Sequence, residues 1–131
     1  MKQIILILVN FLWAGLTWRL TTSPNLVIAP ENSLNTIIMM GGHFVFFGVQ
    51  ATLLKLTNLK TIPSIILASF YGLIIELVQL RVPGRSADLL DWLLDTLGAI
   101  SFLAIVREFS NHKFPVRIAW PNDTGRSNPQ K

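Results

Sequence analysis

The sequence predicts an all-α integral membrane protein: four transmembrane helices in an antiparallel bundle, multi-pass in the cell membrane, with both termini cytoplasmic. Three observations carry this expectation. Hydrophobic residues make up 51% of the 131 residues and charged residues only 14%, against roughly 25% charged in soluble domains. A soluble chain this short has a large surface for its volume and needs more polar residues to cover it. Second, four apolar runs each approach the ~20 residues that cross ~30 Å of hydrocarbon. Third, Lys and Arg fall unevenly between the connections that those runs define. The same hydrophobicity excludes disorder of the whole chain. The absence of cysteine excludes a disulfide framework, a lipid anchor on Cys and a thiolate metal site. The net charge of +4 reads as topogenic, because most basic residues flank apolar runs or lie in the C-terminal segment. No nucleic-acid partner is expected.

The first helix is expected at about residues 3–20, interrupted mainly by Asn10, Thr17 and Arg19. Lys2 before an apolar run resembles a signal peptide. However, Trp13-Ala14-Gly15 puts a bulky residue where a cleavage site wants a small one, so the helix is read as retained. Pro24, Pro30, Glu31, Asn32 and Ser33 make the first connection polar and non-helical. The second helix is expected at about 36–54 and the third at about 62–80, with Pro63 in its first turn, where a proline loses no hydrogen bond. Pro83-Gly84 breaks the chain before a fourth helix at about 87–106, capped by Ser86 or Asp88. These helices form one membrane domain over residues 1–109. Residues 110–131, basic and with Pro115, Pro121 and Pro129, are expected to be a disordered cytoplasmic tail. With the N terminus inside, the inner side carries Lys2, Lys55, Lys60, Arg107, Lys113, Arg117, Arg126 and Lys131, and the outer side only Arg19, Arg81 and Arg85.

Ionisable residues inside a membrane are costly and usually mark function. Glu76 and Gln79 are three apart and share a face of helix three, which Ser69 and Gly72 extend inward. Asp88, Asp91 and Asp95 form one stripe on helix four, continued by Gly98. The short turn makes these helices antiparallel neighbours, so the stripes can face each other. Glu76 lies about 7 Å below Arg81, Asp95 about 10 Å below Asp88, and His43 roughly 10–12 Å from the outward end of helix two. These depths predict convergence of His43, Glu76, Asp91 and Asp95 beneath Arg81 and Arg85, in a polar cavity open to the outer leaflet. Plainer readings accompany several of these residues. Asp88 is most simply an N-cap, Arg81 a snorkelling interfacial residue, Gln79 a partner for a neighbouring polar group and His43 a hydrogen-bonded interior residue. Trp13, Trp18 and Trp92 read as packing or interface residues.

The stretch Tyr71-Gly-Leu-Ile-Ile-Glu76-Leu-Val-Gln79-Leu-Arg-Val-Pro83-Gly84-Arg85-Ser-Ala-Asp88-Leu-Leu-Asp91-Trp-Leu-Leu-Asp95-Thr-Leu-Gly98 resembles the VanZ-like family. So does Gly42-His43-Phe44-Val-Phe-Phe47-Gly48. The resemblance covers residues 36 to about 106. It departs at Met39 and Met40, where the family often has Asp-Lys, at Phe47 in place of Tyr, and at Asp95 in place of Asn. The family is named for a membrane protein linked to low-level teicoplanin resistance, which implies cell-envelope chemistry but no particular reaction.

The leading expectation is a membrane protein that binds a polar or lipid-linked cell-envelope molecule through His43, Glu76, Gln79, Arg85, Asp88, Asp91 and Asp95. Arg85 would clamp an anionic group by paired hydrogen bonds, held by Glu76 and Asp91. Two other readings stay open. One is an intramembrane hydrolase or transferase with His43 or Glu76 as general base, or with a divalent metal on His43, Asp91 and Asp95. The other is a small assembly partner of another membrane protein, or a homo-oligomer, with the polar cluster as interhelical glue. No organic cofactor is expected. Four short helices without an internal repeat make a poor alternating-access transporter.

Overall fold

A computed structural model describes residues 1–24 and 32–111. The connection at 25–31 and most of the expected tail, 112–131, lie outside the described residues. Four helices are present, α1 (Lys2–Thr21), α2 (Asn32–Leu56), α3 (Thr61–Gln79) and α4 (Leu89–Asn111), and no strand occurs among the described residues. Each helix is long and apolar enough to cross a membrane.

Two ends differ from the sequence expectation. Helix α2 begins at Asn32 rather than near 36, so the polar residues before the apolar run are helical. Helix α4 continues to Asn111, past the expected end near 106. Nothing between Val106 and Asn111 breaks a helix, and the Ser110 hydroxyl donates to the Val106 carbonyl at 2.8 Å. Apolarity marks the membrane run, not the helix end. Other signals act where they stand. Pro63 lies in the first turn of α3. Asn58 takes a left-handed φ of 71° just past α2, a conformation that asparagine tolerates and that commonly ends helices. Between α3 and α4 the Arg85 amide donates to the Val82 carbonyl at 3.1 Å, and Gly84 has φ 76°. Pro83 then Gly84 inside such a turn is the type II pattern, which needs a residue free to take positive φ third in the turn. This turn aims Arg85 back over the bundle.

Helix α2 is the centre, touching the other three. Helix α1 packs on α2 and α3 and makes no contact with α4 among the described residues. Apolar contact alone drives helix association weakly in lipid, so close approach and interhelical hydrogen bonds matter more. Both are present. A Cβ on Gly98 would strike the backbone of Phe44, and one on Gly48 would strike the Phe102 ring. Small buried Ala51, Ala68 and Ala99 fill the centre with Leu103. The Trp13 indole donates to the Phe46 carbonyl at 3.0 Å, joining α1 to α2. The Tyr71 hydroxyl donates to the Ala14 carbonyl at 2.6 Å, joining α3 to α1. The Trp92 indole donates to the Ser69 carbonyl at 3.1 Å, and the Ser69 and Thr96 hydroxyls bond at 2.7 Å, joining α4 to α3. Trp13 and Trp92 are therefore packing residues whose polar tips are satisfied within the bundle.

Candidate functional site

The site forms at the end of the bundle that holds the α3–α4 turn. His43 from α2, Glu76 from α3 and Asp95 from α4 are 5%, 4% and 0% exposed. His43 Nδ1 lies 2.9 Å from Asp95 Oδ1. With Asp95 as carboxylate, Nδ1–H is the donor, and Nε2 faces Asp91 Oδ2 at 3.8 Å. One donor atom from each of His43, Glu76 and Asp95 falls within 4.8 Å of the other two. The converging depths of His43, Glu76, Asp91 and Asp95 thus appear in three dimensions. The set of three within that distance has Glu76, where the spacing on α4 alone favours Asp91.

Local geometry explains how acids come this close. Gly72 lies one helical turn before Glu76 on α3, and a Cβ there would strike the Asp95 carboxylate. Glycine leaves the volume that carboxylate occupies. Glu76 Oε2 accepts from the Asp88 backbone amide at 2.8 Å, so Glu76 also pins the start of α4. The Asp88 carboxylate accepts from the Leu90 amide at 2.8 Å, which is N-cap geometry. The remaining oxygens, Glu76 Oε1 and Asp95 Oδ2, are buried with no hydrogen-bond partner among the described residues.

Arg85 and Gln79 face a different partner from the one spacing suggested. The Arg85 guanidinium donates from Nε to the Ser23 carbonyl at 3.1 Å and from Nη2 to the Leu20 carbonyl at 3.3 Å. The Gln79 amide, 2% exposed, donates to the Thr21 carbonyl at 2.9 Å. The Leu20 and Thr21 carbonyls close α1, where a helix leaves acceptors without intrahelical donors and carries partial negative charge, and Ser23 follows just after its cap. Arg85 and Gln79 therefore cap α1 from outside. Glu76 and Asp91 act on Arg85 through space: burial pushes its guanidinium below the usual value, and the two carboxylates pull it back up. Arginine so placed remains a cation.

A cavity of about 260 Å³ opens beside this cap, between the end of α1 and α2. Leu20, Ile38, Met39 and Phe46 give it apolar walls, and His43 and Arg85 are its ionisable lining residues. Glu76, Gln79, Asp88, Asp91 and Asp95 do not line it. Sequence reasoning missed a further polar contact, Gln50 Nε2 donating to Asn10 Oδ1 at 3.0 Å. Its signal was available: Gln50 lies seven residues after His43, on the same face of α2, about 10 Å along the axis.

The VanZ/LLP1 family model matches residues 2–110. No curated protein and no solved structure matches. The match spans all four helices, and the chain belongs to the VanZ/LLP1 family.

Proposed function

We propose that this VanZ/LLP1 membrane protein binds an anionic, lipid-linked cell-envelope molecule, with its charged group on Arg85 and the first carbons of its chain in the adjoining cavity. The observation that supports this is the cavity's composition: apolar walls with one fixed cation and one histidine at the edge. An apolar slot with a few placed polar groups is the usual form of a small-molecule site. At about 260 Å³ it suits a headgroup and the start of a chain. It is too small for a glycopeptide, so a link to teicoplanin resistance would run through an envelope precursor, not through holding the antibiotic. In this reading Arg85 and the cavity face the outer leaflet, following the distribution of Lys and Arg.

The test uses the protein in lipid nanodiscs, titrated with a polyprenyl phosphate and with the matching polyprenol and read by native mass spectrometry. The phosphate should bind and the alcohol should bind much more weakly. Arg85→Lys should lose about tenfold in affinity, because an ammonium does not reproduce the planar fork of a guanidinium. Equal binding of phosphate and alcohol, or unchanged affinity in Arg85→Lys at unchanged thermal stability, refutes the reading. In cells lacking the gene, restoring wild type and Arg85→Ala at equal abundance and comparing teicoplanin susceptibility tests the envelope link.

One observation favours a second reading, an intramembrane hydrolase or transferase. Asp95 fixes the His43 ring through Nδ1, and a carboxylate on one ring nitrogen sets the other as a base. Release of phosphate from the bound lipid, lost in His43→Gln, would establish it.

A further inference from the structure

We infer that His43, Glu76 and Asp95 form a binding site for a small divalent transition cation of the Zn2+ type, with Asp91 as the outer carboxylate that orients His43. This stands apart from the lipid reading, since it rests on the three-helix cluster and not on the cavity. Donor atoms from α2, α3 and α4 already lie within 4.8 Å of one another. The edge from His43 Nδ1 to Asp95 Oδ1 is 2.9 Å. Two ligand atoms bound to one ion by bonds of about 2.0–2.1 Å come about 2.9–3.4 Å apart. An ion can therefore replace the proton now shared along that edge, with little movement.

Two further observations point to a ligand. The buried Glu76 and Asp95 side chains each engage one oxygen and leave the other, Oε1 and Oδ2, without a partner among the described residues. Buried acceptors are normally satisfied, and two orphans in one cluster call for a donor or a cation. Next, the nearby arginine does not neutralise them by contact, because its described hydrogen bonds go to the Ser23 and Leu20 carbonyls.

The histidine chemistry is consistent. When the ion takes Nδ1, the ring proton moves to Nε2 and no proton need leave the ring. Nε2 then faces Asp91 Oδ2 across the present 3.8 Å. A metal-bound histidine usually donates its other N–H to such a carboxylate. One imidazole with two carboxylates suits Zn2+ better than Mg2+ or Ca2+, which favour all-oxygen shells.

The experiment is equilibrium dialysis of the purified full chain, chelator-stripped, against Zn2+ without added lipid ligand, followed by elemental analysis and X-ray absorption at the zinc edge. Wild type should hold one Zn2+ per chain with one imidazole and oxygen ligands. Glu76→Gln keeps an acceptor for the Asp88 amide but should weaken Zn2+ binding by more than the about 10–100-fold typical of an outer partner, and Asp91→Asn should lose about that amount. Wild type that takes up no Zn2+, or a bound Zn2+ unaffected by Glu76→Gln, overturns the inference. The wild-type measurement decides even where a variant misfolds.

Discussion

Gly98→Ala tests whether the approach of α2 and α4 builds the buried histidine pair. A Cβ at position 98 would lie 2.8 Å from the Phe44 carbonyl carbon and 3.0 Å from its Cα, with the carbonyl oxygen nearer still. These are backbone atoms and have no rotamer to change. Ordinary contact begins at 3.4 Å, and the carbonyl oxygen, nearer than either carbon, forces the helices to part by more than about 1 Å at this crossing. His43 precedes Phe44, and Asp95 lies three residues before Gly98, so the separation falls on the His43–Asp95 bond. Widening 2.9 Å by that amount gives about 4 Å, beyond the reach of a hydrogen bond. Overpacking costs about 1–3 kcal/mol, and an interhelical hydrogen bond in a membrane contributes about 0.6 and at most about 1.7 kcal/mol. The expected destabilisation is about 2–4 kcal/mol.

The control is Gly41→Ala on the same α2, where a Cβ meets nothing within 4 Å. It should be neutral, or stabilising by up to about 1 kcal/mol through helix propensity. Reversible unfolding in mixed micelles measures both, and the imidazole nitrogen shifts of His43 report the Asp95 bond. Gly98→Ala within about 0.5 kcal/mol of Gly41→Ala, with the His43 shifts unchanged, would refute the argument.

Two other outcomes follow from the site. Burial lowers the Arg85 guanidinium below its usual value while Asp91 and Glu76 oppose the shift. A base whose folded-state value is lowered costs folding stability at every pH below that value. Because arginine stays charged through the neutral range, this is a constant offset there and not a slope. Binding of polyprenyl phosphate through Arg85 should therefore be flat from about pH 7.5 to 9, above the second ionisation of the phosphate at about pH 6, and a fall across that window in nanodisc titrations would move the anion contact to His43. Chelation should weaken binding of the same lipid phosphate at least several-fold, restored by Zn2+, since removing a cation beside an anion site raises the local negative potential. Affinity indifferent to chelator in Zn2+-loaded protein would separate the two sites energetically.

The helices and their membrane character were legible because apolar run length is a local property of the chain. The convergence of His43, Glu76 and Asp95 was legible in outline, because helical rise converts residue number into depth and the Pro83-Gly84 turn makes α3 and α4 neighbours. What spacing could not supply was pairing. Arg85 lies near Glu76 and Asp91 in sequence-derived depth, yet its hydrogen bonds go to α1 carbonyls. The position of α1 against α3 depends on contacts such as Tyr71 to Ala14 and Gln79 to Thr21, which carry no periodic signal. For the same reason the Asn10–Gln50 contact was invisible as a pair although both residues interrupt apolar runs. Asp88 shows the opposite case, because capping is local and its bond to the Leu90 amide follows from position alone.

Charge balance joins the two proposals. Glu76, Asp91 and Asp95 gather at one end of the bundle, and Arg85 is a fixed cation close enough to act on Glu76 and Asp91. An anionic headgroup approaching Arg85 meets that cation and also the field of three acids. With all three ionised and His43 neutral, the cluster is negative, and an anion in a low-dielectric site is repelled. Protonating the acids removes the repulsion but leaves no reason to bury acids where asparagine or serine would hold the helices together at lower cost. A divalent ion in the cluster balances Arg85 and the three carboxylates to neutrality while keeping every acid ionised. It would also place a cation beside the Glu76 and Asp95 carboxylates, each of which has a buried oxygen without a partner among the described residues. With the ion bound, the carboxylates would no longer repel an anion at Arg85, and the acid at position 95 would belong to the same device as the arginine at position 85.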